Sequence, residues 1–207
     1  LILHRDIKDK FTAMLLEHTS KLRIGHGSDP NTDVGPLVNQ GQLQRVSDYL
    51  EIARSEGAKV LIGGEIVKDE ELQHGFFFAP TILDGVTPDM RVAREEIFGP
   101  VVGLIEVSDF EEAIAILNDT PYGLSSSVYT RDVNRAFQAM RDIEAGITYI
   151  NGPTIGAEVH LPFGGVKQTG NGHREAGSAA LDVFTEWKTV YVDFSGKLQR
   201  AQIDNRE

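Results

Sequence analysis

The sequence predicts an α/β fold in which an open, mostly parallel sheet is flanked by helices. Between Val101 and Asn151, three strand-like runs alternate with two amphipathic segments. Strands that are joined by single helices pair in parallel through right-handed crossovers. The 207 residues are 41% hydrophobic, which is enough to fill a core. These two observations together favour the α/β class.

The part of the chain ahead of this unit adds further helix and strand signals. The predicted elements are, in order, a strand at 1–4, an amphipathic helix from Asp6 to about Lys21, a loop at 25–36, a helix from Gln42 to the cap residue Gly57, and strands at 59–62 and 76–83. Pro80 lies within the last of these, which suits a strand edge or start.

Within the central unit, VVGLIEV (101–107) predicts one strand, and Ser108 with Glu111 has the spacing of a capping box for the helix that follows. The second helix has one apolar face, made up of Val133, Ala136, Phe137, Met140 and Ile143. Both helices are expected to turn an apolar stripe towards the core.

A long loop rich in Gly and Pro follows Asn151, and ordered loops of this length are usually functional. A short helix is expected over 174–184 and a late strand over 185–194. The predicted organisation is therefore a main domain at 1–183, a late strand at 184–194 and a polar tail at 195–207.

Composition excludes several classes of protein. The net charge of −11 and the absence of a Lys/Arg stripe argue against nucleic-acid binding. The chain has no apolar run of membrane-spanning length, and LILHRDIKDKF is unlike a signal peptide, so a soluble cytoplasmic protein is expected. Zero cysteines exclude disulfides and a cysteine nucleophile within this chain. Six scattered histidines lack the spacing of metal ligands, so no metal site is expected.

Two segments are candidates for chemistry. Glu95 and Glu96 precede an aromatic residue and a Gly-Pro turn. A carboxylate at such a place can accept hydrogen bonds from two sugar hydroxyl groups. A solvated acidic pair is the alternative. In Pro162–Gly165 the paired glycines allow a ligand to approach the backbone closely, and a plain tight loop is the alternative. The segment 170–172 resembles a phosphate-binding loop in its glycines, but no strand directly precedes it, so phosphate binding is not favoured.

These residues belong to a set of ordered motifs. The motifs are VGPLV (34–38), GAKVLIGG (57–64), GFFFAPTIL (75–83), EEIFGPV (95–101), PYGLSSSVYT (121–130), AGITYIN (145–151), PFGGVKQTGNG (162–172) and FTEWKTVYV (184–192). In this order the chain resembles the NAD(P)-dependent aldehyde dehydrogenase superfamily over nearly its whole length.

The resemblance implies roles for individual residues. Glu96 would bind the nicotinamide-side ribose, and Phe98 would pack beside the nicotinamide ring. Residues 154–161 would form the loop that selects the aldehyde, and Pro162 and Phe163 would shape the substrate pocket. Glu175 resembles a late glutamate of the family that relays water or protons. The family pattern is Gly-x-Gly-Arg-Glu, and here His173 is inserted before Arg174, so the position of Glu175 is shifted by one residue. A surface carboxylate is the alternative.

The resemblance also implies what this chain lacks. The family oxidises an aldehyde to a carboxylic acid through a cysteine nucleophile, an oxyanion hole, and a glutamate-activated water. We expect the chain to be a C-terminal catalytic-domain portion that begins just downstream of that cysteine, without the nucleotide-binding domain. Alone it should be inactive and bind NAD or NADP weakly. The late strand completes an oligomerisation sheet in the family, so we expect a homo-oligomer.

Three hypotheses remain open: a fragment of a true dehydrogenase, a non-catalytic binding or assembly protein with the same fold, and one half of a split enzyme. In the third, a complementary N-terminal chain would supply the cysteine. The identity of the aldehyde and the choice between NAD and NADP also stay open.

Overall fold

The computed structural model describes residues 1–69, 71–156 and 158–197. The strands are β1 Ile2–His4, β2 Lys59–Ile62, β3 Thr81–Asp84, β4 Val101–Gly103, β5 Ile105–Val107, β6 Ser125–Val128 and β7 Ile147–Ile150. The helices are α1 Arg5–Thr19, α2 Gln40–Glu56, α3 Arg91–Arg94, α4 Phe110–Asn118, α5 Val133–Asp142 and α6 Leu181–Phe184, with 3₁₀ turns at Lys167–Thr169 and Ser178–Ala180.

The described strands are divided among three small sheets. In the first, β3 lies between β2, which is antiparallel, and β4, which is parallel. Strand β1 pairs in parallel with β5, and β6 pairs in parallel with β7 across the helix α5. The α/β class and the parallel pairing are confirmed, but the strands do not form a single open sheet in this part of the chain.

The division occurs inside the run VVGLIEV, which the sequence predicted as one strand. Leu104 separates β4 from β5, is fully buried, and donates its N–H to the Leu83 carbonyl at 2.8 Å. Ile105 then donates to the Leu1 carbonyl at 2.9 Å. The extended chain therefore changes partner at Leu104, from β3 to β1.

Helix α2 supplies most of the main core. Its start is capped by Asn39, whose side chain accepts from the N–H of Gln42 at 2.9 Å, and it ends at Gly57 with φ 103°. The apolar face includes Val46 and Leu50, which pack in one cluster with Phe78 and the strand β3. Truncating a buried Leu to Ala costs about 2 to 5 kcal/mol, so this face holds the domain together.

Helix α1 is fixed to the sheets by charge as well as by apolar contacts. Leu15 and Leu16 pack against the smaller core cluster of Leu3, Ile82 and Leu104. The Nζ atom of Lys8 lies 2.9 Å from Asp84, the last residue of β3, and 3.0 Å from Glu106 in the middle of β5. This half-buried triad joins the helix to two sheets.

The predicted capping box of α4 is shifted by one residue. Asp109, not Ser108, is the N-cap, and its side chain accepts from the Glu112 N–H at 2.8 Å. The Glu112 carboxylate accepts in return from the Ser108 N–H at 2.7 Å. The prediction from Ser108 and Glu111 was wrong because Asp109 offers an equally good cap one position later.

The apolar stripe of α5 is only partly covered. Of the predicted residues, Ile143, the C-cap residue, is buried and Ala136 is half-buried, whereas Phe137 is 66% exposed and Val133 and Met140 are exposed beside it. Among the described residues no element packs over that outer part. The expectation of a core-facing stripe was therefore right for one edge of the helix and wrong for the rest.

The late strand at 185–194 does not form in the structure. These residues are exposed and form no strand, and the helix before them is limited to Leu181–Phe184. A strand requires a neighbouring edge whose backbone donors and acceptors pair with it, and no described residue pairs with this segment. Most of the predicted polar tail, residues 198–207, lies outside the described residues. No helix in the described part combines the length and apolar character needed to cross a membrane.

Candidate functional site

The segment Glu95–Pro100, which we call the EEIFGP segment, is held by one face of α2. Gln42 donates its side-chain amide to the carbonyl oxygens of Ile97 and Phe98, at 2.9 and 2.8 Å. Arg45, one helical turn later, donates to the carbonyl of Glu96 at 2.6 Å. Three consecutive backbone carbonyls are thus bound by two side chains that lie three residues apart on a helix.

This backbone grip leaves two side chains facing solvent. Glu96 is exposed, and Phe98 is 72% exposed with φ 57°, a left-handed conformation that costs a non-glycine residue about 1 kcal/mol or more. The next residue, Gly99, lies so close to the helix that a β-carbon there would be 2.5 Å from Val46. The tertiary contacts therefore impose the conformation that presents Glu96 and Phe98.

The two adjacent glutamates have different surroundings. Glu95 accepts two hydrogen bonds from Arg91, both at 2.9 Å, and one from the Tyr49 hydroxyl at 2.6 Å. The Arg91 guanidinium, followed by the Tyr49 hydroxyl, lowers the pKa of Glu95 to about 2. In contrast, the Glu96 carboxylate has no hydrogen bond or ion pair within the described part of the chain. Glu95 is a structural anion, whereas Glu96 is free to bind another group.

The loop Pro162–Gly165, which we call the PFGG loop, lies against β7 and against the turn 118–123. Gly146, just before β7, touches the loop so closely that a β-carbon would overlap the carbonyl oxygen of Gly164. Lys167 donates to the Asn118 carbonyl at 2.6 Å, and Gly123 donates its N–H to the Thr169 hydroxyl at 2.9 Å. The paired glycines therefore serve packing between backbone segments.

Glu175 returns to the PFGG loop through its backbone. It forms an antiparallel bridge with Phe163: the Phe163 N–H donates to the Glu175 carbonyl at 2.5 Å, and the Glu175 N–H donates to the Phe163 carbonyl at 2.7 Å. The side chain of Glu175 is exposed, as is Pro162, while Phe163 is half-buried. The structure thus brings Phe163 and Glu175 together. In the selectivity loop predicted over 154–161, Ala157 lies outside the described residues.

The turn 118–123 contacts the chain next to both candidate segments. Arg94, directly before Glu95, forms an ion pair with Asp119 at 2.7 Å. Asn118 donates to the Asp142 carbonyl at 2.7 Å and accepts from the Glu144 N–H at 2.9 Å, while its own carbonyl accepts from Lys167. The described contacts do not join Glu96 or Phe98 directly to Phe163 or Glu175. The two segments are instead attached to the same support.

The family model described as "Aldehyde dehydrogenase family" matches residues 1–190. The chain belongs to the aldehyde dehydrogenase family. Among curated relatives, an alpha-ketoglutarate semialdehyde dehydrogenase from Haloferax volcanii is 44% identical over 191 residues, which are 92% of this chain and 39% of the relative. The chain therefore spans about two fifths of the length of such relatives.

Solved structures of the family have the same fold. A putative aldehyde dehydrogenase from Burkholderia cenocepacia superposes with a TM-score of 0.91 and 38% identity, covering 97% of this chain and 40% of that one. Betaine aldehyde dehydrogenase from Staphylococcus aureus, in a complex with NAD+, superposes with a TM-score of 0.85 and 32% identity, covering 88% and 36%. The family and fold expected from the motifs are confirmed.

Sequence reasoning missed the residues of α2 that hold the EEIFGP segment. Gln42, Arg45 and Tyr49 follow one another at intervals of three and four, beside the buried stripe of Leu43, Val46 and Leu50. That spacing identifies a polar edge next to the apolar face, and such an edge usually contacts a neighbouring segment. The sequence does not reveal which segment it contacts, because the partner is about 50 residues away.

Proposed function

We propose that this chain is the C-terminal part of the catalytic domain of an NAD(P)-dependent aldehyde dehydrogenase and forms one side of its active site. Glu96 and Phe98 would face the nicotinamide half of the cofactor. Pro162, Phe163 and the preceding loop 154–161 would face the aldehyde. The order of the motifs and the family match support this assignment.

The observation that carries the proposal is the contrast between Glu95 and Glu96. A free, exposed carboxylate can accept hydrogen bonds from two neighbouring ribose hydroxyls, and an exposed aromatic face can pack beside a planar heterocycle. Because the carbonyls of residues 96–98 are already bound by α2, both side chains are presented from a fixed backbone. Such prior fixation reduces the entropy lost when a ligand binds. These residues fit the nicotinamide half of a dinucleotide.

The proposal divides the chemistry between this chain and residues outside it. When bound, NAD(P) would supply the hydride-accepting chemistry. The residues of this chain would limit the movement of the nicotinamide and shape the aldehyde pocket, and Glu175 would accept or relay a proton at its carboxylate. The sequence contains no cysteine, so the covalent step has no nucleophile here. We therefore expect no aldehyde oxidation by this chain alone.

Saturation-transfer NMR with NAD+ tests the cofactor-facing role, since it detects weak binding. We expect transfer to the nicotinamide and adjacent ribose protons, and we expect Glu96→Gln and Phe98→Ala each to reduce it several-fold. Glu111→Gln is the matched control, because Glu111 is an exposed glutamate on α4, a helix that is not part of the candidate site. Equal loss in all three variants, or unchanged transfer in Phe98→Ala, would contradict the proposal. Aldehyde-dependent NADH formation by the purified chain would contradict its predicted inactivity.

A homo-oligomer through 184–194 is the second part of the proposal. This segment exposes Trp187, Tyr191 and Phe194, and it has no strand partner among the described residues. Extended apolar segments with unpaired backbone groups associate with other sheet edges. Light scattering over a range of concentrations tests it: we expect association that Val190→Asp and Val192→Asp weaken together. A monomer at high concentration would refute this part alone.

A further inference from the structure

The sequence contains two Asn-Gly pairs, Asn151-Gly152 and Asn171-Gly172. The two asparagine side chains differ in their hydrogen bonds. We propose that Asn171 is a site of spontaneous deamidation and isomerisation, and that Asn151 is protected from the same reaction by its hydrogen bonds. The reaction needs only the chain and water, so this inference does not depend on the proposed function.

The chemistry begins at the backbone nitrogen that follows the asparagine. After this N–H loses its proton to a base, the nitrogen attacks the side-chain Cγ, a new C–N bond forms, and the side-chain nitrogen leaves as ammonia. Water then opens the resulting five-membered imide at either carbonyl, which gives aspartate or isoaspartate. Glycine as the next residue favours the attack because it has no side chain to block the nitrogen or to restrict the backbone.

Asn151 is held in place from both sides. Its side-chain oxygen accepts from the Thr130 N–H at 2.8 Å, and its side-chain nitrogen donates to the Thr130 carbonyl at 2.9 Å. Its backbone N–H donates to Val128 at 2.9 Å, and the next carbonyl, of Gly152, accepts from the Ser127 hydroxyl at 2.5 Å. To bring Cγ to the Gly152 nitrogen, both side-chain hydrogen bonds to Thr130 must open.

Asn171 has no comparable restraint. Its side-chain oxygen accepts one hydrogen bond, from the His173 N–H two residues later at 3.1 Å, and within the described residues its side-chain nitrogen has no partner. That hydrogen bond draws electron density from Cγ and does not oppose the attack. Asn171 and Gly172 are both exposed, and apart from Gly172 and its two chain neighbours no described atom lies within 4 Å of the place where a β-carbon on Gly172 would stand. The reacting groups can therefore rearrange freely.

Isoaspartate at this position would alter a segment that is fixed at both ends. On one side, Gly170 packs so closely on the carbonyl of Gly165 that a β-carbon would overlap it. On the other side, Glu175 pairs with Phe163. Isoaspartate adds one methylene group to the main chain between these two attachments. We therefore expect the bridge between Phe163 and Glu175 to open more often after isomerisation.

Peptide mapping by mass spectrometry after incubation in mildly alkaline buffer tests the assignment, with Asn151 as the internal control. We expect Asn171 to react roughly 30-fold faster than Asn151, since two hydrogen bonds of about 1 kcal/mol each must open at Asn151. In concentrated guanidinium the two rates should approach each other, because the folded contacts are gone. Equal rates in the folded chain, or a difference that persists unchanged in denaturant, would overturn the proposal.

Hydrogen exchange at the amides of Phe163 and Glu175 tests the consequence. We expect faster exchange in the isoaspartate form than in the fresh protein. The variant Asn171→Asp is the matched control, because it has the new charge without the extra methylene group, and its exchange should stay close to that of fresh protein. Equal acceleration in Asn171→Asp would show that charge, not main-chain length, opens the bridge and would refute that step.

Discussion

Replacing Gln42 by Ala removes the two hydrogen bonds that hold the carbonyls of Ile97 and Phe98. Each such bond stabilises a folded protein by about 0.5 to 1.5 kcal/mol. Because the bond to Phe98 is solvent-exposed and the bond to Ile97 is half-buried, we expect a total loss of roughly 1 to 2 kcal/mol. For a chain of this size, that loss lowers the Tm by roughly 2 to 8 °C. Phe98, released from the grip, is expected to leave its left-handed conformation.

Urea unfolding followed by circular dichroism gives the free-energy change, and hydrogen exchange at the amides of residues 97–99 locates it. Gln44→Ala is the matched control: Gln44 lies on the same helix, and its side-chain hydrogen bond among the described residues is the surface bond to Asp48, at 2.7 Å. Both variants gain the same helix propensity from Ala, so this effect cancels in the comparison. We expect Gln44→Ala to change stability by less than about 0.5 kcal/mol. If Gln44→Ala lowers the free energy of unfolding as much as Gln42→Ala does, or if Gln42→Ala leaves exchange at 97–99 unchanged, the hydrogen bonds of Gln42 do not stabilise this segment.

Two further predictions concern the PFGG loop and the pH dependence of stability. Gly146→Ala should destabilise the chain by about 1 to 3 kcal/mol, because the new methyl group overlaps backbone and forces the PFGG loop to retreat; Gly27→Ala, with open space around it, should be close to neutral in the same urea titration. The contacts of Glu95 with Arg91 and Tyr49 lower its pKa from 4.5 to about 2 in the folded state, so their contribution is complete above pH 5 and is lost as the pH falls towards 2. Glu95→Gln should flatten the dependence of the unfolding free energy on pH in that window, and an unchanged slope would contradict the assignment.

Helix α2 shows what local sequence can establish. Its apolar spacing and Gly57 are both local signals, and the observed helix Gln40–Glu56 lies within two residues of the prediction. The parallel pairing of β6 and β7 also followed from the pattern of strand, helix and strand. These features depend on contacts between near neighbours in the chain.

The remaining differences come from contacts between distant segments. No local signal shows that VVGLIEV changes partner at Leu104, because the reason is the position of β1, about 100 residues earlier. The late strand at 185–194 was predicted from its composition, but a strand forms only when another edge is available. The candidate site follows the same rule. Motifs identified Glu96 and Phe98, while the role of Glu95 became clear only through Arg91 and Tyr49.

The exposed position of Trp187 has a practical consequence for anyone who follows this protein by fluorescence. It is the only tryptophan in the sequence, and it is 90% exposed in a segment that has no strand or helix structure. Its emission should therefore already be that of an indole in water and should change little when the domain unfolds. A shift of the emission to shorter wavelength would instead report that something has covered the segment. Trp187 fluorescence should thus report association of the segment and should be nearly insensitive to folding.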